Sequence, residues 1–112
     1  MNLPSRYSLD TELIASAISR WAEIESPSYD SVAVNRMMDA ASSFMTAMGA
    51  RIERISGSDN FGDVVTARFG SISPQGILVL GHLDTVHLVG TLQDTLPIRV
   101  EGDRLYGPGV MD

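Results

Sequence analysis

Residues Ile77 to Val86 read ILVLGHLDTV: four apolar residues, a glycine, then His82 and Asp84 one residue apart. A short, continuously apolar run suits an internal strand covered on both faces, as parallel strands in α/β sheets are. In open α/β sheets functional groups gather outside the carboxyl ends of the strands, and there the sequence places His82 and Asp84. Gly81 lets the chain turn and pass close to its surroundings. A neutral imidazole is the commonest protein metal ligand. Residues two apart in extended chain point the same way, so the Asp84 carboxylate can accept the other ring N–H of His82, fixing tautomer and basicity. Thr85 can hold the turn with its hydroxyl. A lone H-x-D is common, however, and by itself reads as a structural turn in which Asp84 bonds nearby backbone.

Working outward, Ser8 or Asp10 can cap a helix whose apolar positions Ile14, Ile18, Trp21 and Ala22 recur at helical spacing. Trp21 would face a sheet. The SPS at Ser26–Ser28 ends this segment, since the residue before Pro27 is pushed out of the α region. A second helix is expected from Ser31 to Met48, with Val34, Met37, Met38, Ala41, Phe44, Met45 and Met48 as its apolar stripe and Gly49 beyond its end. The period then shortens. Ala50–Ile55 and Asp63–Phe69 read as strands around the polar loop SGSDNFG, and PIRV, EGD and RLY read as a hairpin. Two helices before the strands, with an internal strand running into a polar turn, predict an α/β sandwich in one small domain.

Composition narrows the functional classes. The 112 residues are 44% hydrophobic and 20% charged, ordinary for a soluble domain. Eight basic against fourteen acidic residues give a net charge of −6 without a basic cluster. Neither nucleic acid nor a membrane is therefore an expected partner. The absence of cysteine excludes disulfides, thiolate metal sites and a cysteine nucleophile. With no apolar leader at the N-terminus the default expectation is a cytoplasmic protein.

The other polar residues are weaker candidates. His87, the other histidine, lies five positions after His82 on the irregular segment, and the methionine stripe suits a core. Asp94, Glu101 and Asp103 read as solvated loop acids. Asp59, Asn60 and Asp63 lack the ligand ladder of a calcium loop. Ser26 and Ser28 have no neighbouring base in sequence that would activate a serine nucleophile.

Taken together, GHLDTV, VEGDRLYGPG and YGPGVMD resemble the M20 family of zinc-dependent metallopeptidases and amidohydrolases, most of all its glutamate carboxypeptidase branch. Weaker similarity runs back through IESPS to about Leu13. The resemblance implies a three-layer α/β sandwich, of which residues 1–112 would be the N-terminal, truncated portion, with the lid or dimerisation domain, the catalytic glutamates and further ligands downstream. It implies that His82 ligates one zinc, that Asp84 orients His82, and that Asp112 bridges two zinc ions, with cobalt or manganese as alternative metals. The substrate would be a small peptide or N-acyl amino acid, and the intact protein a homodimer. A carboxypeptidase releasing a C-terminal amino acid such as glutamate is the expected activity, with an N-acyl amino acid deacylase or a non-catalytic α/β binding module as alternatives. The chain by itself is expected to be inactive.

Overall fold

A computed structural model describes residues 10–71 and 73–112. The first helix, α1, spans Thr11–Ala22 and is capped by Asp10, whose carboxylate accepts from the backbone N–H groups of Glu12 and Leu13 at 3.0 and 3.1 Å. Such a cap contributes about 1 kcal/mol. Ser8, the other expected cap, lies outside the described residues. The helix stops well before Pro27, at Ala22.

Helix α2, Ser31–Ala47, starts on Asp30, whose carboxylate accepts from Ala33 N–H at 2.9 Å. It ends in a Schellman arrangement: Gly49 N–H bonds Thr46 C=O and Ala50 N–H bonds Met45 C=O. Gly49 adopts φ +93°, which makes glycine the natural residue there.

The expected strands follow. β1 (Arg51–Ile55) pairs antiparallel with β2 (Val64–Arg68), Ile52 opposite Ala67 and Arg54 opposite Val65. In the loop between them Asp59 and Asn60 take left-handed φ values of 54° and 67°, which their short polar side chains tolerate. The irregular segment holds a one-turn helix, α3 (Thr91–Asp94), that the periodicity did not reveal. β3 (Arg99–Glu101) and β4 (Arg104–Tyr106) form the second hairpin, with Val100 opposite Leu105.

The chain is thus α/β, with helices beside antiparallel strand pairs. Helix α2 packs on the face of the first hairpin that carries Ile52 and Arg54. Arg54 fastens the two: its Nε donates to Asp63 at 2.8 Å, one terminal nitrogen to Asp39 at 2.7 Å and the other to the Asn35 carbonyl at 3.3 Å. The core is the buried side of α2, Ala33, Val34, Met37 and Ala41, with Ala50 beyond its end. Trp21 meets Phe44 of α2 edge-on, ring centroids 5.5 Å apart, so its partner is a helix and not the sheet expected for it.

Ile77–Leu80 departs furthest from expectation. These residues pair with no strand among the described residues and are between 80% and 95% exposed. A strand buried on both faces needs neighbours along both edges and layers above and below. Each hairpin pairs only with the strand next in sequence, and this run joins neither of their outer edges. The radius of gyration, 15.9 Å, correspondingly exceeds the roughly 13 Å of a compact chain of this length.

Candidate metal centre

The segment after Leu80 is held at its far end by the loop that follows α1. Thr85 N–H donates to Ser26 C=O at 2.8 Å and Ser28 N–H to Thr85 C=O at 2.9 Å, a single parallel bridge centred on Pro27 and Thr85. Side chains add to it. The buried Ser26 hydroxyl donates to Leu83 C=O at 2.7 Å, and the Ser28 hydroxyl to Asp84 Oδ2 at 2.6 Å. Thr85 Oγ1 accepts from His87 N–H at 3.3 Å, closing the turn as its sequence position suggested.

His82 and Asp84 do face each other. The Nδ1 of His82 stands 3.0 Å from the Asp84 backbone carbonyl and 3.5 Å from the Asp84 Oδ1. A carbonyl only accepts, so in the neutral ring this bond is made by the Nδ1–H tautomer, with Nε2 as the bare lone pair. The shorter partner is thus the main chain, with the carboxylate close enough to act by charge; the sequence pattern pointed to the carboxylate alone. Gly81 meets nothing within 4 Å, so its lack of a side chain answers no close contact here.

The YGPG stretch reaches the same place from the other side. Gly107 and Pro108 are buried, and Gly109, at φ +70°, lies against Thr85: a Cβ there would come within 2.9 Å of the threonine methyl. This close approach explains the glycine and brings Asp112 to the wall of the cleft that His82 and Asp84 also line. The cleft measures about 330 Å³. His87 and Glu25 stand on it too, and Ile18, Trp21, Ile24 and Phe44 make an apolar side.

Glu25 is a residue that the sequence did not single out. Its carboxylate accepts from Gly90 N–H at 3.0 Å and Leu92 N–H at 3.1 Å, at the start of α3. These donors, Gly90 foremost, hold its pKa below the ordinary carboxylate value. It anchors the irregular segment and is fully used in doing so. Asp63 is similarly occupied: Gly57 N–H donates to it at 3.0 Å and Arg54 at 2.8 Å, and both lower its pKa. An internal anchor, not a calcium ligand, is its role.

The donor types on the cleft, imidazole and carboxylate, fit zinc, and His82 presents a bare nitrogen of the right tautomer. Among the described residues no three His, Asp or Glu side chains converge on one point that could hold a metal ion. Nor is any helix of the described residues long and apolar enough to cross a membrane.

No family model matches the chain. It is similar to Carboxypeptidase G2 of Pseudomonas sp. (strain RS-16), 41% identical over 51 residues, which are 46% of this chain and 12% of that protein. The similarity relates the chain, over a short stretch, to a carboxypeptidase.

Proposed function

We propose that this chain is part of an M20-type zinc hydrolase that cleaves amide or peptide bonds, most specifically a carboxypeptidase releasing a C-terminal amino acid such as glutamate. The observation that carries the reading is the presentation of His82: Nδ1 tethered to Asp84, Nε2 bare at a cleft shared with Asp112. The partial likeness to a carboxypeptidase supports it. In this reading His82 and Asp112 hold metal, Asp84 orients His82, and the described residues belong to one part of a three-layer sandwich. Zinc, when bound, supplies Lewis acidity toward the scissile carbonyl and a more acidic water. The chain's own contribution is to fix the imidazole and to wall the cleft with apolar side chains that exclude water. The described residues do not close a zinc shell, and the isolated chain is inactive in this reading.

The test is made on the protein expressed from its complete reading frame, by metal content and by amino-acid release from dipeptide and N-acyl substrates. Bound zinc, with hydrolysis lost on chelation, restored by zinc and abolished in His82→Ala, is the expected result. Preference for N-acyl amino acids would make it a deacylase. A folded protein that takes up no metal overturns the hydrolase. The self-contained bonding of Ser28, Asp84 and His82 would then favour a non-catalytic module in which GHLDTV is a structural turn.

A further inference from the structure

Ser28 stands 56 residues before Asp84 in sequence, yet its hydroxyl reaches Asp84 Oδ2 at 2.6 Å. The Thr85 carbonyl is a second acceptor for the same hydroxyl, at 3.1 Å. A hydroxyl has one proton to give, and a charged carboxylate at 2.5–2.7 Å takes it over a neutral carbonyl half an ångström further away. With Oδ2 held by Ser28, Oδ1 is the oxygen turned toward His82 Nδ1 at 3.5 Å. No other hydrogen bond among the described residues reaches the carboxylate, whose side chain is 40% exposed.

We propose that Ser28 is a positioning residue: through Asp84 it places negative charge beside Nδ1 of His82, favours the Nδ1–H tautomer and so keeps Nε2 available as an electron-pair donor. The metal that Nε2 would meet rests on the function proposed above; the tautomer does not. The backbone bridge at Pro27 and Thr85 is made by main-chain groups alone, so removal of the Ser28 hydroxyl leaves the segment in place. Ser26 supplies the contrast. Its hydroxyl bonds Leu83 C=O and touches neither Asp84 nor His82, so it belongs to the clamp without belonging to the chain of contacts that reaches the ring.

The test compares Ser28→Ala, Ser28→Thr and Ser26→Ala in the metal-free full-length protein, with histidine ring nitrogens labelled and the neutral imidazole read by NMR. The Nδ1–H form should predominate in the unmodified protein and in Ser28→Thr, and its share should fall measurably in Ser28→Ala, where the Asp84 main-chain carbonyl is the acceptor that remains for Nδ1–H. Ser26→Ala should lower the melting temperature and leave the His82 tautomer unchanged. In an Asp84→Asn background, Ser28→Ala should have no further effect on the ring, because the contact through which it acts is gone. An unchanged tautomer in Ser28→Ala, or an equal effect with and without the Asp84 carboxylate, overturns the inference. Zinc binding is then measured separately. If zinc binds, Ser28→Ala should weaken it about tenfold, at the low end of the range for partners behind a ligand. Failure of the unmodified protein to bind zinc, with the tautomer responding as stated, removes the hydrolase and leaves the role of Ser28 standing.

Discussion

The first hairpin and the GHLDTV segment are both extended chain, but they are held in opposite ways. β1 and β2 pair along their whole length, with one face against α2 and Arg54 stitching hairpin, loop and helix together. The stretch from Ile77 to Thr85 has no ladder along its apolar half, and its hold is a single bridge with two serine hydroxyls at its polar end. The hairpin completes itself from residues near in sequence. The segment carrying the candidate ligands depends on groups nearly sixty positions away. Local pairing closes short loops at little entropic cost, whereas the distant contacts must each offset a longer closure. Order in the hairpin should therefore withstand changes that loosen the segment.

The largest expected effect lies on the buried side of α2. Met37 is 3% exposed at the centre of the buried side of α2. Met37→Ala should lower stability by about 3 kcal/mol through lost transfer energy and the void left behind, as measured by denaturant unfolding. A loss below about 1 kcal/mol would mean that this side of α2 is not close-packed. A somewhat smaller effect is expected at Gly57. A Cβ there would run into the main-chain carbonyls of Phe61 and Gly62, which cannot rotate aside as a side chain would. Gly57→Ala should cost about 2 kcal/mol, and a neutral result would show that the loop has room to move.

Acid should weaken both regions. The folded pKa of Asp63 lies below its unfolded value, chiefly through Gly57 N–H and then Arg54. A depressed carboxylate contributes stability that is present above the unfolded pKa, near 4, and is lost as pH falls through the folded value. Melting temperature should accordingly fall below about pH 4, and Asp63→Asn should flatten that part of the curve while lowering stability at neutral pH. Glu25, depressed by Gly90 and Leu92, adds a loss of the same sign on the cleft side. An acid limb unchanged by Asp63→Asn would show that the Arg54 network does not carry it.

The same contrast governs what could be read from the sequence. The ends of α2 were legible because Gly49 and the apolar stripe are local signals, and the strand pairs because alternation and turn residues are adjacent. His82 and Asp84 were legible as a pair for that reason too. The roles of Ser28 and Glu25 were not, since neither residue stands near its partner in the chain. Gly109 could be noticed but not explained until Thr85 was found against it. Ile77–Leu80 misled for a physical reason. An apolar run states what a segment would gain from burial, and it says nothing about whether neighbours are there to bury it.

That run supports the smallest and most discriminating prediction. Leu78 is 80% exposed, so in the 112-residue chain Leu78→Ser should change stability by no more than about 0.5 kcal/mol, as exposed substitutions do. In the protein expressed from its complete reading frame, the proposed sandwich would cover both faces of this strand, and the same substitution should then cost about 2–3 kcal/mol. A small effect in both settings would leave the apolar run a solvent-facing edge and remove the main structural reason to place His82 at the end of a buried strand. A large effect already in the short chain would mean that a second copy or another surface covers the run, detectable as concentration-dependent melting. The pair of measurements therefore tests, at a residue that touches neither metal nor substrate, whether the second region acquires from outside these residues the support that the hairpin finds within them.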